Sequence, residues 1–321
     1  MARHAEGDVR GALADFESAI AADPRWAEAK NNRGAARQTL GDLTGALADF
    51  DKALEVNPGS AEAWNNRGLV HHLNGEREKA LADFDQALQI RPRYAEALTN
   101  RTAVRQAAGD LTGAVADYDR AIGIRPEWPE AFVGRAGVLR ALGELDVAVA
   151  DYAQASKLLP PRAAASVHHL RAGVLALQLR FADALSDCNQ AIVLNPDFCM
   201  AYVTRGNVRY HLRDPGAPID YARAFELDRK ATASEILRIL HEDIRTDADA
   251  ALKNCRQHLR ISPGDLVARV RRGLMLLLLG READAATDLD EALSRNPGWR
   301  DYLRLLIEQV KERVERIPEI A

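Results

Sequence analysis

Three cysteines in 321 residues, an odd number at irregular spacing, cannot make a disulfide framework. So few thiols fit a reducing compartment. The opening MARHAEGDVRGALADF has no apolar run of the kind that forms a secretory leader. The longest apolar stretch, GLMLLLLG at 273–280, is far too short to span a bilayer and is bounded by Arg272 and Arg281. A cytoplasmic chain with no membrane partner is therefore expected. Charge of one sign is scarce as well. The net charge is −4, with 19 Lys/Arg against 24 Asp/Glu in residues 1–160 and 24 against 23 in the rest. No broad basic face is available for a nucleic-acid backbone, so no nucleic-acid partner is expected. Glycine-rich phosphate loops, HExxH, CxxC and nucleophile elbows are all missing, so neither catalytic residues nor a cofactor are expected.

What is present is a period. Prolines recur at Pro24, Pro58, Pro92, Pro126 and Pro160, each 34 residues after the last. Pro196 follows after 36, Arg229 holds the slot after 33, and Pro263 and Pro297 return at 34. Between them Gly34, Ala46, Phe50, Ala53 and Pro58 are echoed by Gly68, Ala80, Phe84, Ala87 and Pro92. This spacing resembles the tetratricopeptide repeat over nearly the whole length. The resemblance implies an all-α, α-α superhelix of about eight helix hairpins plus a C-terminal capping helix. Physical reasons support it. Glycines at 41, 75, 109 and 143 end first helices, small residues let helices approach, and proline stops each second helix.

One slot departs from the common form of the repeat. Arginine occupies it in every complete unit, at Arg33, Arg67, Arg101, Arg135, Arg171, Arg205, Arg238 and Arg272. An aspartate stands sixteen residues later at Asp49, Asp83, Asp117, Asp151, Asp187 and Asp288; Asp220 follows Arg205 after fifteen, and Asn254 replaces the acid once. The spacing predicts ion pairs between the two helices of a hairpin. An arginine row for anionic ligands is the alternative, opposed by the matching acids.

The units divide into a partial first repeat at 1–26 (second helix only), regular units at 27–164, less regular ones at 165–265, a further unit at 266–298 and a cap at 299–321. In the unit 232–265 Ile239 takes the glycine slot and Cys255 the aromatic one. Such irregularity creates a hinge or specialised site, or records drift in a packed interior. Cys255, His258 and His241 could also bring zinc ligands together, but Cys255 and His258 hold core slots, so packing is favoured and no metal is expected. In the cap, Trp299, Leu303, Leu306, Val310, Val314 and Ile317 share one stripe. At the other end Leu13, Phe16 and Ile20 are expected to form an open apolar edge, for self-association or for the rest of a larger protein.

Function then falls to surface shape. In this repeat family first helices line the concave side, and the resemblance implies protein or extended-peptide binding there. The candidate residues are Asn31, Asn32, Asn65, Asn66 and Asn100, with Glu28, Glu62 and Glu96 at the rim and His169, Thr204, Asn207 and His211 further along. An asparagine amide both donates and accepts, so a row of them can pair with any peptide backbone. Asn32, Asn66 and Asn100 resemble the asparagine ladder of O-linked N-acetylglucosamine transferases. The cationic clamp of chaperone-binding members is not matched. Arg269, Arg271, Arg272 and Arg281 are expected to form a solvated basic face. A non-enzymatic scaffold is the resulting expectation, with a self-assembling repeat protein, or a portion of a longer chain, as the alternative.

Overall fold

The computed structural model describes residues 8–316, and side chains through residue 312. Every regular element among the described residues is helical. The chain divides into two compact units, Met1–Leu158 and Leu159–Ala321.

The first unit holds α1 (Val9–Ala22), α2 (Ala27–Thr39), α3 (Leu43–Val56), α4 (Ala61–Leu73), α5 (Arg77–Ile90), α6 (Ala95–Ala107), α7 (Leu111–Ile124), α8 (Pro129–Leu142) and α9 (Leu145–Leu158). From α2 onward these pair as hairpins, α2 with α3 through α8 with α9. Each hairpin turns on a glycine with positive φ, +83° at Gly41 and +76° at Gly75, where a Cβ would be strained. Asp42 and Asp110 then cap the second helix by accepting from the amides of Gly45 and Gly113, both at 2.9 Å. Close approach inside a hairpin follows from Gly34: a Cβ there would stand 2.7 Å from the Phe50 ring. Ala46 and Phe50, buried, complete that layer.

The second unit holds α10 (Pro161–Leu177), α11 (Phe181–Leu194), α12 (Cys199–Leu212), α13 (Ala217–Leu227), α14 (Arg229–Ile261), α15 (Leu266–Leu278), α16 (Glu282–Arg295), a 3₁₀ turn (Pro297–Trp299) and α17 (Arg300–Arg316). α14 is two limbs joined at Asp247, whose φ/ψ of −165°/97° breaks the helix. Its carboxylate accepts from the amide of Ala250 at 2.9 Å and starts the second limb. The hairpin turn of this irregular unit has shrunk to one residue. The apolar run of α15 packs inside rather than facing solvent, with Leu274 and Met275 each 1% exposed. α17 covers it with Leu303, Leu306 and Val310, all buried, while Trp299 is partly buried. The Val314 side chain and Ile317 lie outside the described residues. No helix among the described residues is long and apolar enough to cross a membrane.

One expectation is overturned at the N-terminus. Phe16 is not on an open edge: it is 7% exposed and packs with Ala12 and Ala36, so it belongs to the α1–α2 interface. The residues 1–7 lie outside the description. Leu13 and Ile20 are partly buried.

Candidate functional site

First helices present one row of side chains at constant height because each sits at the same register of its hairpin. On that row Asn66 of α4 donates to Asn31 of α2 at 3.0 Å, and Asn100 of α6 donates to Asn65 of α4 at 2.9 Å. Asn65 donates in turn to Asn66 at 3.3 Å, joining the two pairs into one chain. The pairs link residues 35 apart rather than running through Asn32, Asn66 and Asn100. Asn32 lies beside them, half-buried. Asn65 is buried, whereas Asn31, Asn66 and Asn100 are half-exposed.

The rim glutamates have cations of their own. Arg91 donates to Glu62 while lying 4.8 Å over the Tyr94 ring, and Arg125 pairs with Glu96 while lying 5.2 Å over Trp128. Burial pushes the Glu62 carboxyl up, but Arg91 outweighs it and holds the group below the usual range. Glu28 is exposed on α2. The rim therefore has little free negative charge with which to favour a basic ligand.

Each hairpin also carries the arginine of the repeat. Arg33 donates through Nε to Asp49 at 2.8 Å, Arg67 to Asp83 at 2.8 Å, Arg101 to Asp117 at 2.8 Å, Arg135 to Asp151 at 2.7 Å and Arg171 to Asp187 at 2.6 Å. Each also donates through Nη2 to the other oxygen, so the pairs are bidentate. Arg205 with Asp220 and Arg272 with Asp288 repeat the geometry. The aspartates are buried, 1–5% exposed. Two further kinds of partner escaped the sequence reading. Arg67, Arg101 and Arg135 also pair with Asp51, Asp85 and Asp119 of the preceding hairpin, and Arg205 with Asn189. Arg37, Arg105 and Arg209 add a second cation to Asp49, Asp117 and Asp220. The signals were legible as D-[FY]-D on second helices and R-x3-R on first helices. The hydrogen bond to Asp83, with Asp51 adding to it, raises the Arg67 pKa against burial. Burial alone would lower that of Arg101, but Asp117 and Asp85 raise it.

A tetratricopeptide-repeat family model matches residues 2–53, 33–95 and 104–166. The chain is a tetratricopeptide-repeat protein. Among solved structures similar to it, PilW, a type IV pilus biogenesis factor, has a TM-score of 0.55 at 25% identity, covering 62% of this chain and 90% of that one. YrrB has a TM-score of 0.50 at 24% identity, covering 58% of this chain and 95% of that one. RNA polymerase II-associated protein 3 of Xenopus laevis is 33% identical over 107 residues, 33% of this chain. That of Xenopus tropicalis is 34% identical over 91 residues, 28% of this chain. The tetratricopeptide-repeat chain spans only 15% and 13% of the length of these two relatives.

In the second unit the remaining candidate residues are mostly engaged. His169 Nδ1 stands 3.1 Å from Thr204 Oγ1, and Thr204 is buried. His211 stacks on Phe181 with centroids 5.0 Å apart. Burial lowers the His169 pKa, and burial with Arg271 and His258 nearby lowers that of His211 to about 4, so both rings are neutral at pH 7. Asn207 accepts from Arg271 at 2.6 Å. That contact corrects the expected solvated basic face. Arg271 is 7% exposed, paired with Asp243 and lying 4.8 Å over Tyr210. Arg269 and Arg272 lean on Asp288, leaving only Arg281 of the four well exposed. Cys255 and His258 gather round Tyr210: its hydroxyl lies 3.4 Å from Sγ, and its ring stacks on His258 at 4.5 Å. Among the described residues no three side chains of metal-ligating type come together.

Proposed function

We propose that this protein is a non-enzymatic scaffold that binds an extended protein segment along the first-helix face of α2, α4 and α6. Its fold is that of protein-interaction repeats, and the observation that supports the finer reading is the linked asparagine chain. An amide offers two donors and an oxygen with two lone pairs. Each inter-helix pair uses one donor and one acceptor, so Asn31, Asn66 and Asn100 keep capacity toward solvent while their rotamers are already fixed. Pre-fixed groups lose less entropy when a ligand arrives, which favours binding. Since Glu62 and Glu96 are matched by Arg91 and Arg125, recognition rests on the ligand's main chain more than on its charge. YrrB is described as having an unusual peptide-binding site, a use of the same fold in keeping with this reading.

The test is selection of displayed peptides on the full chain, followed by anisotropy titration of the best sequence. Asn66→Ala with Asn100→Ala should weaken binding by about tenfold or more, each lost hydrogen bond contributing about 1 kcal/mol. Equal affinity for parent and double variant, with unchanged melting, would place the peptide elsewhere. Phe16→Glu, in contrast, should destabilise α1, because Phe16 is interior.

A further inference from the structure

The second unit contains a cavity of about 250 Å³ between α13, the first limb of α14, α15 and the start of α17. It lies where the repeat loses its register. In regular hairpins a second-helix ring closes the space over a first-helix glycine, as Phe84 does on Gly68 and Tyr221 on Gly206. The unit 232–265 has Ile239 and Cys255 in those slots and a turn of one residue at Asp247. Four rings line the neighbouring cavity: Tyr221, Phe225, Trp299 and Tyr302. Phe225 meets Tyr302 edge-on at 4.8 Å, and Trp299 meets Tyr302 edge-on at 6.4 Å. Leu240 and Leu274, each 1% exposed, form its aliphatic side.

The charged groups around the cavity are exposed, as Glu226, Arg229 and Asp301 are, or paired inside, as Arg271 is. Glu226 accepts from Arg223 at 3.1 Å, and Arg229 lies 5.4 Å over the Phe225 ring. Arg271, inside, is held by Asp243 and Asn207. Burial pushes the Tyr221 hydroxyl up to about 12 and raises that of Tyr302 further, so both stay neutral. A charged ligand would lose its hydration, and Arg271, the cation it would meet inside, is already matched by Asp243. A neutral apolar one gains by leaving water. An apolar cavity of roughly 150 Å³ accepts one benzene ring, so the space here suits two fused rings, and edge-to-face aromatic contacts add to burial. We propose that this cavity is a binding site for an uncharged, fused-ring aromatic small molecule of about the size of indole.

Isothermal titration of the full chain with indole tests this. Saturable one-to-one binding with Kd below about 1 mM is expected. Ala222, exposed at the cavity mouth, gives a blocking variant: Ala222→Phe should weaken binding about tenfold or more with the melting temperature unchanged. Indole-3-acetate should bind about tenfold more weakly than indole. Absence of indole binding, or indifference to Ala222→Phe in a folded variant, overturns the proposal. N-acetyltryptophanamide binding more tightly than indole overturns it in favour of a peptide side chain as occupant. None of these outcomes depends on the asparagine row, which lies in the other unit.

Discussion

Arg101 and Arg238 hold the same slot of the repeat and live in different surroundings. Arg101 is 8% exposed, bidentate to Asp117 on the facing helix and tied again to Asp85 of the preceding hairpin. Arg238 has a half-exposed side chain and, among the described residues, is paired with Glu235 and Glu242 of its own helix. The difference follows from two positions: sixteen residues on, the regular hairpin offers aspartate and the irregular one Asn254, and sixteen residues back Asp85 is answered by Ala222. A repeated residue therefore has no fixed role by itself. The facing helix decides whether an arginine is an interior cross-tie between hairpins or a surface side chain.

The largest expected effect comes from breaking the cross-tie. Asp117→Ala leaves the Arg101 guanidinium interior with only Asp85 at its outer side, and removal of one partner of a buried pair costs about 3–5 kcal/mol. Replacing both, as Arg101→Leu with Asp117→Tyr, restores an apolar contact and should recover more than half of that. Urea unfolding followed by circular dichroism reads both. A loss below about 1 kcal/mol for Asp117→Ala would mean that the pair is effectively wet.

Acid should separate the regions next. The folded His211 pKa lies near 4, below its ordinary 6.5, so the unfolded chain takes up the proton first. Its contribution is therefore complete above about pH 6.5 and is lost as pH falls toward 4, by about 2–3 kcal/mol at most. His169, also lowered by burial, acts in the same direction. Melting curves of the parent at pH 7 and pH 5 should differ more than those of His211→Phe, which keeps a ring against Phe181. An equal pH response in the two would show that other groups carry the acid sensitivity.

What was legible in the sequence was whatever repeats. The hairpins, the glycine turns and the i, i+16 arginine–aspartate spacing follow from a period long enough to average out local noise. Contacts between neighbouring hairpins were harder, because side chains lean across: the asparagine pairs join residues 35 apart, and the second aspartates sit two places beyond the first. Arg271 was hidden for another reason. Its partners Asp243 and Asn207 lie 28 and 64 residues away, so a local cluster of arginines looked solvated when one member was interior. Phe16 was misplaced because an end helix shows its apolar stripe but not which side its neighbour covers. The cavity is lined mostly by residues outside the recurring slots, such as Phe225, Leu240 and Tyr302, and periodicity is silent there.

A smaller effect comes from the hairpin turns. Regular units place glycine at the left-handed turn residue, but the second unit has Leu179 at φ +59° and Arg213 at φ +57°. A left-handed backbone with a Cβ costs about 1–2 kcal/mol, against about 0.5–1 kcal/mol for the extra freedom glycine gains on unfolding. Leu179 is 73% exposed, so its side chain contributes little packing. Leu179→Gly should then stabilise by about 0.5–1 kcal/mol, read as a higher melting temperature, and destabilisation would mean the exposed leucine has an unseen contact.

The smallest expected effect is the sharpest probe of the opening contrast. Arg238→Ala removes an arginine from the same register slot as Arg101, but its two glutamate partners are one turn away on the same helix. Pairs of that kind contribute about 0.3–0.5 kcal/mol, and alanine's helix propensity offsets part of the loss. The midpoint of urea unfolding should move by less than the equivalent of about 0.5 kcal/mol. A loss approaching that of Asp117→Ala would require Arg238 to reach across to another helix, and the register slot, rather than the residue facing it, would then set the role of the arginine.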